Sequence, residues 1–405
     1  MEEKKRALAH IEKISWIKPI EGADNIELVG VLGWQCIAKK GEFEVGDYCV
    51  YIEIDSKVPE MECFEFLRAK HFKIKTMKLN KFKDEYGQGL VSQGIAIPLS
   101  QFSDIVFELQ EGLDVTDELG VTYADPEDLK RKTINPNAKY DLMRNRHKRI
   151  FQKPWVKKMM KYHWFRELMF MIYGKKSDKP LAFPSWIQKT DEARVENIPQ
   201  VLNDHETIWD RTEKIDGTST TFAMERPKTG WLKKPKYELI VCSRNVRQLT
   251  PAQPCFVGDN VYWKMAFKYN IQEVLQNMLE VYGSEVKYII LQGETFGQNL
   301  QGNPYKRKDI DFRAFNLIMI LESGEKIKYN RFQMESMLAP YHIPCVPDLG
   351  IWKIPEDMDM HSMKLEADGK SMEADVKREG IVYRDIANPF RSFKNVSNDF
   401  LLSKK

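Results

Sequence analysis

Apolar and polar residues keep three different rhythms along the chain. From Ala23 to Asp55, "ADNIELVGVLGWQCIAKKGEFEVGDYCVYIEID", they alternate, and Gly33, Gly41 and Gly46 punctuate the run. Alternation turns one face of each strand inward, and the glycines mark turns. A second group follows in "FKIKTMKLNKFKDEYGQGLVSQGIAIPL". Short strands so spaced predict a small β-barrel over residues 1–120. From Asp125 to Pro180 strand formers give way to helix formers, and "WVKKMMKYHWFRELMFMIYG" carries apolar residues at helical spacing. That predicts a helical connector over 121–181. From Ala182 the pattern is mixed. "YIILQGETFG", "FRAFNLIMI", "EGIVYR" and "RSFKNVS" predict strands, and "AFKYNIQEVLQNMLEVY" an amphipathic helix. Asn330 with Gln333 predicts a capped start for the helix in "RFQMESMLAPY". The expected fold class is α+β, with a third domain over 182–405.

Composition narrows the picture only where it is uneven. The 405-residue chain is long enough for two or three domains with real cores. Its net charge of +3 hides a concentration of Lys and Arg between Lys130 and Lys179, which leaves the rest mildly acidic. The basic connector either packs its Met and aromatic face on a neighbour, contacts nucleic acid through Trp155, Tyr162, His163 and Trp164, or lies on a membrane surface. Six scattered cysteines form no CxxC pair, which points to a reducing compartment rather than to disulfides or a zinc site. The start, "MEEKKRALAHIEKI", lacks the apolar segment of a signal peptide, and "WFRELMFMIYG" is too short to span a bilayer. A soluble, intracellular, cytoplasmic protein is expected.

The chemistry begins at "RTEKIDGTSTTFAM", where Lys214 precedes Asp216 and Gly217. Alone, K-x-D-G also describes a charged surface turn. In order after it come "SRN" (243–245), "GETFG" (293–297), "DFRAF" (311–315), "REGIVYR" (378–384) and "SFK" (392–394), each on or beside a predicted strand. This ordered set resembles the covalent nucleotidyltransferase superfamily of ATP-dependent ligases and mRNA capping enzymes. "PIEGADNIELVGV" resembles the opening of OB-fold modules of the tRNA-binding type. An OB-like module at the front, with "FPSWIQKTDEARVENIPQVL" just upstream of Lys214, is similar to ATP-dependent RNA ligases with an N-terminal OB domain, relatives of the nick-sealing RNA ligases. The resemblance implies an OB-like barrel, a basic connector and a nucleotidyltransferase domain with antiparallel sheets. No GxxxxGK phosphate loop occurs, and the seven histidines form no spaced cluster.

Elementary chemistry gives the opening motif a purpose. A lysine amine that attacks the α-phosphate of ATP must be neutral, and deprotonating an ordinary lysine at neutral pH costs about 4–5 kcal/mol. Nearby cations lower that cost. Lys214 is the expected nucleophile, and Lys394 and a metal on the phosphates are the expected cations. Asp216 is close enough in sequence to hold a hydrated metal, with Gly217 allowing a tight turn. The resemblance implies that Glu294 binds ribose and reaches metal, that Glu379 is a metal ligand, and that Phe315 stacks on adenine. It implies that Arg244 contacts AMP or the nucleic-acid strand, and that Lys394 binds the α-phosphate. Glu213 is placed to offer backbone groups to the adenine edge, whereas Phe312 reads as core. Three carboxylates suit Mg²⁺ or Mn²⁺. Two positions depart from the family pattern: Asn316 stands where an aspartate is common, and Ser392 where some relatives have the first lysine of a KxK pair, for which Lys404 is a substitute.

The reading is an ATP-dependent RNA ligase that joins 3′-OH and 5′-phosphate ends of RNA, or of an RNA/DNA duplex with a nick, as a monomer. The alternatives are a capping-type guanylyltransferase and an RNA-binding protein with a decayed nucleotidyltransferase domain. Because every motif lies after Ala182, that domain is expected to adenylate itself to within about tenfold without residues 1–120, and the barrel to serve sealing.

Overall fold

The computed structural model describes residues 7–84, 87–102, 105–124, 148–173, 181–227, 237–248 and 260–403. In the N-terminal half, strands Trp34–Lys39, Ile26–Val31, Ala9–Pro19, Tyr48–Ile52 and Ile95–Pro98 lie side by side in that order, with Leu113–Asp114 added on Ala9–Pro19. Every neighbour is antiparallel. The long first strand serves two partners: Ile14 to Pro19 pairs with Ile26–Val31, and Ala9 to Lys13 with Tyr48–Ile52. A register shift between Ile14 and Trp16 bends it at the changeover, as a bulge does. Its two faces bury separate cores, one around Ile11, Val50 and Phe64 and one around Ile14, Val29 and Trp34. The strand Thr122–Tyr123 pairs with Ser56–Lys57, so the ladder continues past residue 120.

The stretch from Trp155 on, expected as one helix, is two. Pro154–Met159 and His163–Tyr173 follow the short helix Lys148–Phe151, and the break at Lys161 folds the second helix back on the first. Phe151, Val156, Met160, Phe165 and Met169 then bury against one another, so the connector packs its Met and Phe side chains on itself.

The C-terminal half has two sheets. One holds seven strands, in the order Leu181–Ala182, Val246–Gln248, Leu239–Cys242, Thr218–Glu225, Val286–Gly297, Ile310–Leu321 and Lys326–Lys328. Helices Val261–Lys268, Ile271–Val281 and Arg331–Leu338 contribute to the largest core with this sheet. The amphipathic helix expected over 266–282 is broken at Asn270, whose φ of 47° is left-handed and cannot continue a right-handed helix. The expected cap at Asn330 is present, with Asn330 and Gln333 bonding each other's backbone. The other sheet runs Ala193–Arg194, Ser392–Val396, Gly380–Asp385, Trp209–Lys214, Asp348–Trp352, antiparallel except for its first pair. Lys214 is the last residue of one sheet's strand, and Thr218 the first of the other's. The Lys-x-Asp-Gly motif is therefore the crossing between two sheets.

Candidate active site

That crossing forms the floor of a cavity of about 630 Å³, into which both sheets deliver side chains. Glu294 comes from the middle of Val286–Gly297, held opposite Ser219 by the ladder. Phe315 comes from Ile310–Leu321, Arg244 from the turn after Leu239–Cys242, Glu379 from the residue before Gly380–Asp385, and Lys394 from Ser392–Val396. All eight residues singled out in the sequence line this one cavity: Glu213, Lys214, Asp216, Arg244, Glu294, Phe315, Glu379 and Lys394. Phe312 is fully buried in the core, as expected.

Charge is dense there. The Lys214 Nζ lies 2.7 Å from a Glu379 carboxylate oxygen. Burial works against the ammonium, but Glu379, Glu294 and Asp216 outweigh it and hold Lys214 above the ordinary lysine value. Burial pushes Glu294 up to about 8; Lys214 pulls against that, and Glu379 and Asp216 add to it. Lys394 is shifted down by burial, against the pull of Asp191 and with repulsion from Arg194 and Lys214. The Asp216 N–H donates to the Tyr305 hydroxyl at 2.8 Å, which fixes the backbone next to Lys214. Gly217 is required for a reason other than a turn. It has no left-handed φ, but a Cβ there would sit 2.4 Å from the Thr295 carbonyl oxygen and 3.0 Å from Glu294 Cγ. The Glu213 N–H already donates to the Pro347 carbonyl at 2.9 Å, and its carboxylate accepts from Ser371 and Met372. That backbone donor is therefore taken before any adenine arrives.

These features agree with known proteins. Residues 208–397 match the RNA ligase family model, and residues 8–99 an OB-fold domain. The structure resembles a Naegleria gruberi RNA ligase solved with pyrophosphate, at 28% identity and a TM-score of 0.69 over 98% of each chain. A mutant of that ligase with AMP and Mn gives 27%, 0.70 and 98% of each chain. Another, with ATP and Mn, gives 27% and 0.68 over 98% of this chain and 97% of that one. Residues 208–397 thus match the RNA ligase family, and the whole chain resembles these solved ligases.

Several lining residues of the cavity were not legible beforehand. Asp191 reaches Lys394 Nζ at 2.9 Å with one oxygen and Arg244 Nη2 at 3.1 Å with the other. Glu192 pairs with Arg384 at 3.3 Å, and the Arg384 guanidinium lies 5.9 Å from the Phe315 ring. Asp191 and Glu192 sit in the quoted segment upstream of the nucleophile, and Arg384 closes "REGIVYR", so each had a place in a motif but no role. Asp55 and Tyr123 had no signal at all. They belong to the barrel and line the cavity, and Arg244 bonds the Tyr123 hydroxyl at 3.2 Å with its guanidinium 5.3 Å from that ring. Asn316 donates to Gln292 at 3.0 Å, a role in the sheet that needs no charge. The Ser392 hydroxyl bonds Glu192, and Lys328 borders the same small polar recess. Lys404 lies outside the described residues.

A divalent metal fits the donor chemistry. Among the described residues no three His, Cys, Asp or Glu side chains form a preformed cage. Mg²⁺-type sites seldom need one, since they use one or two carboxylates, waters and substrate phosphates. Burial first, and then the charges of Glu379 and Asp216, raise Glu294, and the three carboxylates are the kind of hard-oxygen set that a cation relieves. No helix among the described residues is long and apolar enough to cross a membrane.

Proposed function

We propose that the protein is an ATP-dependent RNA ligase that seals 5′-phosphate and 3′-hydroxyl ends, with nicks in RNA or RNA/DNA duplexes as substrate. The observation that carries this is the convergence of Lys214, Asp216, Glu294, Glu379, Arg244, Phe315 and Lys394 on one cavity. In the first step the Lys214 amine attacks the α-phosphorus of ATP, the bond to pyrophosphate breaks, and lysyl–AMP forms. AMP then passes to the 5′-phosphate, and attack by the 3′-hydroxyl forms the phosphodiester and releases AMP.

Asp216 and Glu379, with Glu294, would hold Mg²⁺ or Mn²⁺, whose charge would screen the carboxylates that now favour the Lys214 ammonium and would neutralise phosphate oxygens. Lys394 and Arg244 neutralise the phosphate, Phe315 stacks on the adenine, and Glu294 binds the ribose. The division expected at 1–120, 121–181 and 182–405, with its first boundary moved past Tyr123, assigns chemistry to the last part. A monomer in a reducing, cytoplasmic setting fits the five described cysteines, all unbridged.

The deciding experiment is labelling with α-labelled ATP or GTP in the presence of Mn²⁺, followed by a nicked duplex. Covalent labelling by ATP and sealing are expected. Labelling by GTP alone would mean a capping-type enzyme, and no label at all a decayed domain. Lys214→Ala should lose labelling completely yet still join a pre-adenylated strand, because that last step needs no lysine nucleophile.

A further inference from the structure

The connector presents a surface that the adenylation chemistry does not use. From Gln152 to Trp164 the exposed residues are Gln152, Pro154, His163, four lysines (153, 157, 158 and 161) and three aromatic rings, and the stretch has no carboxylate. Trp155 is 59% exposed, Tyr162 55% and Trp164 58%. Both indoles rest edge-on against the buried Phe165, at 6.3 and 5.6 Å between ring centroids. Phe165 belongs to the small core beneath, with Phe151, Val156, Met160 and Met169, so that core forms without the three exposed rings. Each indole thus has one buried ring to rest on, which lowers the side-chain freedom lost when its exposed part is covered.

Charge and shape together select the occupant. Four lysines with no carboxylate in their own stretch attract phosphates, although Glu167 lies 4.0 Å from His163 just beyond it, and exposed rings take flat π-faces. An unpaired RNA strand supplies a phosphate and a free base face at every nucleotide, whereas a duplex keeps its bases stacked on each other. We propose that this face of the connector binds an unpaired segment of RNA. The binding is independent of the adenylation chemistry; that the RNA is the strand being sealed rests on the ligase reading. The competing occupant is an anionic lipid surface, since Leu168, Met171 and Ile172 are exposed farther along.

The test uses the full chain, with a labelled single-stranded RNA, a flush RNA duplex of equal length, and vesicles containing anionic lipid. Wild type is expected to bind the single strand more tightly than the duplex. The triple variant Trp155→Ala, Tyr162→Ala, Trp164→Ala should bind the single strand at least about tenfold more weakly, with ATP labelling and melting temperature retained. Lys157→Gln with Lys158→Gln should lower the salt dependence of binding, by a slope of roughly 1.4 for two phosphate contacts. Sealing of substrates with an unpaired flank should fall in the triple variant, while flush nicks seal as before. Unchanged single-strand binding by the triple variant overturns the proposal, as does vesicle binding that depends on the rings while RNA binding does not. Ring-dependent RNA binding in a protein that neither labels nor seals would sink the ligase reading and leave the surface standing.

Discussion

At the residue scale, Asp191 governs the resting site. Its carboxylate bridges Arg244 and Lys394, the two cations proposed to meet phosphate. A phosphate entering the cavity must displace that carboxylate or share its partners. Asp191→Asn removes the competing charge, so the variant should bind ATP or pyrophosphate about tenfold more tightly, roughly 1.4 kcal/mol, by calorimetry. A gain of affinity cannot come from misfolding. Equal or weaker binding would show that Asp191 does not compete with phosphate. The ligand-free protein should meanwhile melt lower, because the largely buried Lys394 loses its counter-ion.

At the scale of elements, the two sheets meet through Gly217. Its contact with Thr295 holds Asp216 against the strand that bears Glu294. Gly217→Ala should push the crossing off the strand that carries Thr295 by a few tenths of an ångström or more and destabilise the protein by about 1–3 kcal/mol. Adenylation should fall at least tenfold, because reacting groups misplaced on that scale lose rate steeply. Adenylation at the wild-type rate, measured by single-turnover labelling, would mean that the crossing tolerates the shift.

At the scale of the whole molecule, the barrel is bonded to the half that carries the cavity. The Gly33 N–H donates to the Glu196 carbonyl at 2.9 Å, the Trp34 indole bonds Asn197, and Asn197 bonds Glu53. Beside them His10 lies 2.7 Å from Glu12 and 3.7 Å from Glu53. Burial opposes its charge, but the bonds to Glu12 and Glu53 raise His10 from 6.5 to about 9. The folded value exceeds the unfolded one, so the stabilisation is complete below pH 6.5 and is lost as pH rises through 9. It is on the order of 3 kcal/mol at most. Melting curves between these limits should fall with pH for wild type and flatten for His10→Gln; equal slopes would exclude His10 as the cause. The contacts also change the expectation for truncation. Removing residues 1–120 takes away Asp55, the partner strand of Tyr123, and the dock on Glu196 and Asn197. Adenylation by the remainder should fall by more than tenfold, rather than stay within it as the motif order alone suggests. A truncated protein that labels at nearly the full rate would return the barrel to a role in sealing only.

Much of the site was legible because its chemistry is local in sequence. A lysine two residues from a carboxylate marks itself by residue type and rhythm, as does a glutamate after an apolar run, although Glu294 lies within its strand rather than at the end expected. The eight residues read from motifs therefore all lie on the cavity. The capped start at Asn330 was legible for the same reason, since a capping box is complete within four residues. What the sequence could not express is pairing at a distance. Tyr123 meets Arg244 across 121 positions and Asp191 meets Lys394 across 203, and nothing near any of these residues specifies a partner. The helix break at Asn270 turns on one backbone dihedral, which a run of apolar spacing does not record. Residue types and their periods determined the elements and the chemistry available; only the packing of two sheets and a barrel decided which charges face each other across the cavity.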